Sequence, residues 1–371
     1  MLREDAASAT LVDELVRLAP GNGPVTVLKD TRVLVVRVGD VVVKAYPPGT
    51  SERDLRRRLD AAHGLPGVML APLGPAERAE HAGGRLVTIW PAGEALSPDD
   101  LADGTMPQDA WESGARLLAR LHASPPPSGM PPAGGPGRLV RAMAELGQVG
   151  DSPETRQIRE AYRTLAEPLH AADLRTADRH SDGRPSADVR ATEHPATEHR
   201  ATEHPATEHP GVEHPTAEHP TAEHRERHAV DRRTAPSHGS RVALTHGDWH
   251  LGQLVRHEGA WLLIDPDDLG VGDPAWDLAR PAAWFAAGLL DPESWHTFLS
   301  AYAGAGGTAV SADDPWRELD LPARALTVQL AATATVTAMR AGSALDDVAA
   351  ALVSSCGRIV AAAGDRRQGE G

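Results

Sequence analysis

The chain has 371 residues, a formal net charge of −15 and a single cysteine. Its length favours more than one lobe or domain, because one domain usually takes ~100–200 residues. The 52 Asp and Glu residues outnumber the 37 Lys and Arg residues. This balance argues against a basic surface that follows nucleic-acid phosphates. Cys356 has no second cysteine for an internal disulfide, which fits a reducing compartment.

The chain carries neither a signal-peptide pattern at its start nor a run of about 18 apolar residues. We therefore expect a soluble cytoplasmic protein with no membrane partner and, given its charge, no nucleic-acid partner. Arginine outnumbers lysine by 35 to two. A lysine that persists against this bias, such as Lys44 at the end of an apolar run, is a candidate for a specific contact.

Short apolar runs rich in β-branched residues predict strands near the N-terminus. Three such runs lie between Val25 and Tyr46, and the last two flank a Gly39-Asp40 pair. A pair of this type between β-branched runs indicates a tight hairpin. A further strand is expected in "GRLVTIWP", which ends at Pro91.

A helix is predicted between these strands. Ser51 and Asp54 stand three residues apart, as in a capping box, and Leu55 and Leu59 follow on one helical face. Residues 1–92 are therefore predicted to form a small β-sheet lobe with one prominent helix.

Helical periodicity dominates from residue 93 onwards. The segment from Pro107 to Ser124 repeats its apolar residues at helical spacing before prolines end it, and similar patterns recur towards the C-terminus. We therefore predict an α+β protein of two lobes, in which residues 93–371 form the larger, mainly helical lobe.

A pentapeptide with a Glu-His pair is repeated seven times from Ala191 to Arg225. Its apolar content is too low to offset an ordering entropy of about 1–2 kcal/mol per residue, and its prolines exclude a continuous helix. We predict that residues 175–238 are disordered. The Glu-His pairs could bind zinc, nickel or copper weakly, but a solvated linker is the preferred interpretation.

The stretch "LTHGDWHLGQLV" holds most of the candidates for chemistry. Asp248 and Gln253 lie five residues apart, a spacing typical of catalytic loops in which the acid faces a hydroxyl and the amide oxygen faces Mg²⁺. Seventeen residues after Asp248, an apolar run delivers Asp265 into a turn, as suits a metal ligand. Lys44 could reach nucleotide phosphates, and Glu52 is the acid on the following helix that we expect to pair with it.

These motifs, in this order, resemble the aminoglycoside phosphotransferase and choline kinase-like superfamily. The resemblance rests on "VVVKAY", "LLARLHA", "THGDWHLGQL", "LLIDPDD" and "GDPAWDLA". The catalytic loop is most similar to that of bacterial maltokinases and related sugar kinases, which carry glutamine in the place of the usual asparagine. The resemblance implies a bilobal protein-kinase-like fold that transfers the γ-phosphate of ATP to a small-molecule hydroxyl, with Mg²⁺.

The resemblance also implies roles for the matching residues. Asp248 would act as the catalytic base, and His246 would brace its loop. Lys44 would contact the α- and β-phosphates of ATP. The magnesium ligands would be Gln253 and Asp265, with Asp267 as a further ligand or a substrate contact.

The acceptor is expected to be a cationic or polyhydroxylated small molecule, such as an aminoglycoside, an amino sugar or a related sugar. Three acids near the presumed pocket favour such a molecule, namely Glu94, Asp267 and Asp268. Asp273 and Asp277, in "GDPAWDLA", are predicted to be structural acceptors of hydrogen bonds.

Two other interpretations fit parts of the sequence. His246, Asp248 and His250 alternate in a way that suits zinc, so a metal-dependent hydrolase is one alternative. It would need further histidine ligands, and the sequence shows no second cluster outside the repeat. The other alternative is a non-catalytic kinase-like scaffold with a metal-binding His-rich tract. The retained Lys44, Asp248, Gln253 and Asp265 argue against it. The sequence leaves the oligomeric state open.

Overall fold

An antiparallel sheet of five strands forms the N-terminal part of the protein. The computed structural model describes residues 2–74, 80–96, 107–165 and 242–369. The strands of this sheet are β1 (Val25–Asp30), β2 (Leu34–Val38), β3 (Val41–Ala45), β4 (Glu80–Ala82) and β5 (Arg85–Pro91). Their order across the sheet is β1-β2-β3-β5-β4, so β3, which carries Lys44, is the central strand.

The predicted hairpin between β2 and β3 is confirmed. Val38 and Val41 pair at its base, which leaves Gly39 and Asp40 as the two turn residues. Gly39 has a φ of 57°, a conformation that glycine adopts without the penalty a Cβ would bring. The short turn fixes the register of β3 against β2.

Helix α1 (Leu2–Leu18) covers one face of this sheet and was not predicted from the sequence. Leu15 of α1 is fully buried in a core that includes Val87 of β5. Burial of one leucine side chain contributes about 1.5–3 kcal/mol. Glu14 accepts a hydrogen bond of 2.7 Å from the backbone N–H of Gly83, which ties the helix to the turn between β4 and β5.

Helix α2 (Glu52–His63) covers the opposite face. Leu55 and Leu59 are buried against Tyr46 and Leu86. Because successive strand residues point to opposite faces of a sheet, Leu86 faces α2 while the next residue faces α1. The predicted N-cap is also confirmed, since the Ser51 side chain accepts a hydrogen bond from the third residue of the helix.

Helices dominate the remainder of the described chain. They are α3 (Gln108–Ala123), α4 (Gly135–Leu146), α5 (Pro153–Leu165), α6 (Ala275–Ala287), α7 (Pro292–Gly304), α8 (Trp316–Ala341) and α9 (Asp347–Gly369). Short strands lie between them, namely β6 (Glu94–Ala95), β7 (Ala243–Thr245), β8 (Leu254–His257), β9 (Ala260–Leu263) and β10 (Gly270–Gly272). Strands β6, β8 and β9 form one small sheet and β7 pairs with β10.

Two apolar cores hold the helical part together. In the first, Trp111 of α3 packs against Trp249 and against Phe298 of α7, with ring centroids 5.7 and 4.7 Å apart. The second lies between α4, α5, α8 and α9 and includes Ile158 and Cys356. Burial raises the pKa of the Cys356 thiol to about 12, so this cysteine acts as a small apolar core residue.

Among the described helices, one stretch within α9, Asp347–Asp365, is long and apolar enough to cross a membrane by length and composition. Helix α9 packs against α5 and α8. Its buried residues recur at helical spacing along one face: Ala349, Leu352, Val353, Cys356 and Ile359. One-sided burial of this kind is the pattern of a helix that covers a core.

The observed elements confirm the predicted α+β class, with an N-terminal antiparallel sheet and a mainly helical remainder. Helix α1 is added to the one helix predicted beside the sheet. The repeat at 191–225 and the tract at 175–238, which the sequence predicts to be disordered, lie outside the described residues.

Candidate functional site

The first group of polar side chains lies in the turn that follows β9. The backbone of Leu263, at the end of β9, donates to Val68 and accepts from Leu70 at 2.9 and 2.8 Å. The turn is therefore anchored to the segment that follows α2. Asp265 has a φ of 62° and a ψ of 70°, a left-handed conformation that costs about 1–3 kcal/mol in residues other than glycine. Such strain in a turn that presents a carboxylate marks a candidate site.

Lys44 reaches this turn from the central strand of the sheet. Its Nζ lies 2.5 Å from Oδ1 of Asp265 and 2.7 Å from Oδ1 of Asp267, and 4.9 Å from the centroid of the Tyr46 ring. Only 10% of the Lys44 side chain is exposed. We refer to Lys44, Asp265 and Asp267 as the lysine cluster, in which one cation serves two carboxylates.

The lysine cluster separates the pKa values of its two acids. Burial opposes the charge on Lys44, but the two carboxylates outweigh it and raise the pKa of the ammonium well above its ordinary value. Burial also opposes ionisation of Asp265, yet the nearby Lys44 charge lowers the pKa of that carboxyl. For Asp267, burial and the negative charge of Asp265 raise the pKa. One lysine thus stabilises only one of the two anions fully, and a cation of higher charge would suit the pair.

Gln253 lies at the edge of the lysine cluster. Its Nε2 is 3.5 Å from Oδ2 of Asp265, and its side chain is largely buried. Its backbone is fixed by hydrogen bonds to His250 and Ile264, at 2.8 and 2.9 Å. Rotation of the amide by half a turn directs its oxygen to the same position. Two carboxylates and one amide oxygen form the hard donor set that magnesium prefers, so these residues fit that ion.

The second group of polar side chains surrounds Asp248. Arg280 of α6 donates to Oδ1 at 3.0 Å, and Nη1 of Arg138 on α4 lies 3.0 Å from Oδ2. The same Nη1 donates to Oδ2 of Asp268 at 3.0 Å. We refer to Asp248, Asp268, Arg138 and Arg280 as the arginine cluster. Because Asp268 follows Asp267 directly, the two clusters meet at one turn.

The loop that carries Asp248 is held by a buried carboxylate. Asp277 accepts from the backbone N–H groups of His246 and Gly247 at 2.6 and 2.8 Å, and its Oδ2 lies 3.0 Å from Nε2 of His122. Burial opposes its charge, but these partners lower the pKa of the Asp277 carboxyl. The prediction that Asp277 is a structural acceptor is confirmed.

His246 connects the same loop to the lysine cluster. Its Nε2 lies 2.9 Å from the carbonyl oxygen of Ile264, the residue before Asp265, and the side chain is fully buried. Its position therefore couples the backbone beside Asp248 to the turn that presents Asp265. These contacts agree with the predicted bracing role, which stays a prediction.

The predicted pair of Lys44 and Glu52 is wrong. Glu52 lies in the first turn of α2 and contacts Arg56, four residues later, at 2.5 Å. Its side chain is 43% exposed, whereas Lys44 is buried and engaged by Asp265. In the first turn of α2, the Glu52 side chain is directed towards solvent and the i,i+4 arginine rather than towards Lys44.

The histidines expected for a hydrolase do not assemble. Nδ1 of His250 accepts from the backbone N–H of Gly252 at 3.1 Å. Burial, together with the charges of Arg280, His246 and Arg138, lowers the pKa of His250 well below its ordinary value, so its imidazole is neutral at pH 7. In the part of the chain that the structure describes, no group of three or more His, Cys, Asp or Glu residues is arranged to hold a metal.

The three acids that favoured a cationic or polyhydroxylated acceptor have different surroundings in the structure. Asp267 contacts Lys44 and Asp268 contacts Arg138. Glu94 lines a different cavity of about 370 Å³, together with Asp109 and Trp261. Asp267 and Asp268 are therefore each paired with a cation, whereas Glu94 is exposed at the separate cavity.

Sequence reasoning missed both arginines of the arginine cluster. Arg280 directly follows the motif "GDPAWDLA", three residues after Asp277. On a helix it therefore lies about one turn from Asp277, and this spacing could have identified it. Arg138 precedes Asp248 by 110 residues and gave no local signal. Its position depends on how closely α4 approaches the turn after β9.

Comparisons with known proteins concern the family and the fold of the chain. The profile of the phosphotransferase enzyme family matches residues 25–320. No curated protein matches the chain by sequence. Among solved structures, a choline/ethanolamine kinase family protein from Mesorhizobium loti has a TM-score of 0.52 at 16% identity, with 97% of this chain and 94% of that chain covered.

Two further solved structures share the fold at similarly low sequence identity. An amicoumacin kinase in complex with AMP-PNP, Ca²⁺ and Ami has a TM-score of 0.51 at 14% identity, and covers 98% of this chain and 93% of its own. The aminoglycoside phosphotransferase APH(4)-Ia has a TM-score of 0.50 at 13% identity, with 95% and 98% covered. At these identities the likeness concerns the fold, which is the kinase-like fold expected from the sequence.

Proposed function

The chain belongs to the phosphotransferase enzyme family and is a phosphotransferase with an alcohol group as its acceptor, and from this premise we propose that it is an ATP-dependent small-molecule kinase. The phosphate passes from ATP to a hydroxyl of an aminoglycoside, an amino sugar or a related sugar. The observation that carries the proposal is the meeting of the lysine cluster and Asp248 at one turn.

The lysine cluster is the proposed phosphate end of the site. Lys44 contacts the α- and β-phosphates, and its position on the central strand supports this role. Gln253, Asp265 and Asp267 would hold Mg²⁺, which would supply positive charge against the transferred phosphoryl group. A fold neighbour was solved with AMP-PNP and Ca²⁺, which supports the use of ATP.

Asp248 is the proposed base. It takes the proton of the acceptor hydroxyl while the acceptor oxygen bonds to the γ-phosphorus and the bond to the β,γ-bridging oxygen breaks. The products are ADP and a phosphate monoester. A carboxylate has about four lone-pair sites, so contacts with Arg138 and Arg280 leave Asp248 room for the hydroxyl. Positioning and neutralised charge are the main demands of this chemistry.

The lobe assignment belongs to the same proposal. Residues 1–92 form the nucleotide lobe and residues 93–371 the catalytic and substrate lobe. The end of the large sheet at Pro91 and the start of the helical part soon after it support this boundary. We expect the enzyme to act in the cytoplasm, on a small molecule.

The test is an ATP-consumption screen with mass detection of product. Purified full-length protein with MgCl₂ and ATP is offered aminoglycosides, amino sugars, neutral disaccharides, choline and macrolides. The expected result is ADP formation together with an acceptor heavier by one phosphoryl group. ATP consumption with free phosphate and no modified acceptor would contradict transfer to an alcohol.

A further inference from the structure

We propose that Arg138 makes the acceptor site selective for a neutral polyhydroxylated molecule over one that carries an ammonium group beside the reacting hydroxyl. This inference rests on the proposed kinase function and narrows its acceptor. The sequence motifs do not include Arg138, and the fold by itself gives this residue no role.

The charges around the acceptor base are already balanced. Each oxygen of Asp248 lies 3.0 Å from an arginine, Arg280 at Oδ1 and Arg138 at Oδ2. Arg138 also serves Asp268. Two carboxylates thus face two guanidinium groups, and 16% of the Asp248 side chain remains exposed to meet a hydroxyl.

An ammonium group beside the reacting hydroxyl would enter this arrangement next to two cations. It would have to displace an arginine from a partly buried carboxylate or accept repulsion at close range, and both outcomes weaken binding. A hydroxyl neighbour meets no such opposition, because it can accept from guanidinium N–H groups and donate to carboxylates. The balance of charge therefore favours the neutral acceptor.

The backbone around Arg138 fixes it in this position. Gly134 donates through its N–H to the carbonyl oxygen of Asp268 at 3.0 Å, and a Cβ at Gly134 would lie 1.9 Å from Oδ1 of Asp268. Only glycine allows this approach of α4. Arg138, one turn further along the same helix, donates to the side chain of Asp268 at 3.0 Å, so the helix and the residue it approaches fix each other. It is therefore a positioned group rather than a mobile surface charge.

The test compares acceptors that differ by one group. Glucose and glucosamine, and galactose and galactosamine, are offered with ATP to the wild-type enzyme and to Arg138→Met. In the wild type we expect kcat/KM for the neutral sugar to exceed that for the amine at least tenfold. Arg138→Met leaves Asp268 unmatched, so this ratio should fall at least tenfold. Arg156→Met, on the exposed face of α5, is the matched control and should leave the ratio unchanged.

Two further measurements separate a folding defect from selectivity. Arg138→Lys keeps the positive charge and should keep most of the preference, and thermal melting reports whether each variant folds. A wild-type preference for the amines, or an unmoved ratio in folded Arg138→Met, would overturn the inference.

Binding is also measured without turnover, by saturation-transfer NMR of the same sugars with AMP-PNP and MgCl₂. Selective binding of neutral sugars that are never phosphorylated would support the selectivity while contradicting the proposed kinase. Preferential phosphorylation of amines would support the kinase while contradicting the selectivity.

Discussion

The lysine cluster and the arginine cluster share a turn but have opposite arrangements of charge. In the first, one ammonium serves two carboxylates, and in the second each oxygen of Asp248 meets its own guanidinium. With both acids ionised, the lysine cluster carries an excess negative charge, whereas Asp268 balances the arginine cluster. The difference indicates which cluster can bind a cation. The excess negative charge of the lysine cluster would attract a metal ion, whereas the arginine cluster is already neutral.

The largest effect on activity is expected from removal of the Asp265 carboxylate from the lysine cluster. Asp265→Ala should reduce phosphoryl transfer to background and abolish Mg²⁺-dependent nucleotide binding, because the most acidic metal ligand is lost. Asp265→Gly is the matched variant, since it removes the carboxylate without backbone strain. Calorimetric titration of AMP-PNP with and without MgCl₂ measures the loss, and retained Mg²⁺ dependence would remove Asp265 from the metal site.

Asp248→Asn tests the arginine cluster with the least change of shape. If Asp248 accepts the hydroxyl proton, turnover should fall by ~10²–10⁴-fold, while the affinity for AMP-PNP stays near the wild-type value. Steady-state kinetics and nucleotide titration together separate the two. Near-normal turnover would exclude Asp248 as the base.

The buried carboxylate of Asp277, which holds the loop that carries Asp248, is expected to contribute mainly to the stability of the fold. Asp277→Ala leaves two buried N–H groups without their acceptor and should destabilise the protein by about 3–5 kcal/mol. The lowered pKa of Asp277 means that its contribution is present above the ordinary carboxyl pKa and is lost as the pH falls below about 4. Denaturant unfolding of both proteins at pH 7 and pH 3.5 checks this, and a difference that grows at low pH would be the wrong sign.

Lys44→Ala addresses the cation of the first cluster. We expect the apparent KM for ATP to rise about tenfold, because a charge-assisted contact contributes about 1.5–3 kcal/mol. Glu52→Gln is the control, since Glu52 contacts Arg56 and not Lys44, and it should leave this KM unchanged. An equal increase in the KM for ATP in both variants would support the predicted Lys44–Glu52 pair and contradict the contacts seen in the structure.

The smallest effect is expected from deletion of Ala191 to Arg225. The deletion shortens the separation of Lys44 and Asp265 from 221 residues to 186, which changes the loop-closure term by only about 0.2 kcal/mol. Melting temperature and activity should therefore persist, and retention on immobilised nickel should fall with the loss of seven histidines. A deletion variant that folds but no longer phosphorylates its acceptor would assign the repeat a role in substrate capture.

Local features of the fold could be predicted from the sequence. The Gly39-Asp40 hairpin, the cap at Ser51 and helix α3 all depend on residues within one or two turns of each other. Turn chemistry and periodicity act over that range. Helix α1 was missed because its register becomes clear only against the sheet on which Leu15 packs.

Contacts between distant segments could be predicted only in part. The motifs identified Lys44, Asp248 and Asp265, but not that Lys44 pairs with the acids of the turn across 221 residues. Periodicity assigns residues to faces and does not identify which acid a distant lysine meets, so Glu52 was chosen wrongly. Arg138 depends on the close approach at Gly134, which no local pattern encodes.

The left-handed backbone at Asp265 has a consequence for how this sequence can change. Glycine and asparagine accept that conformation far more readily than other residue types, so few replacements preserve the turn, and glycine would release about 1 kcal/mol of strain. Glycine would also remove the carboxylate that pairs with buried Lys44, and the loss of one partner from a buried ion pair destabilises a fold. Substitution at this codon is therefore constrained twice, by the shape of the backbone and by the charge that the turn must carry.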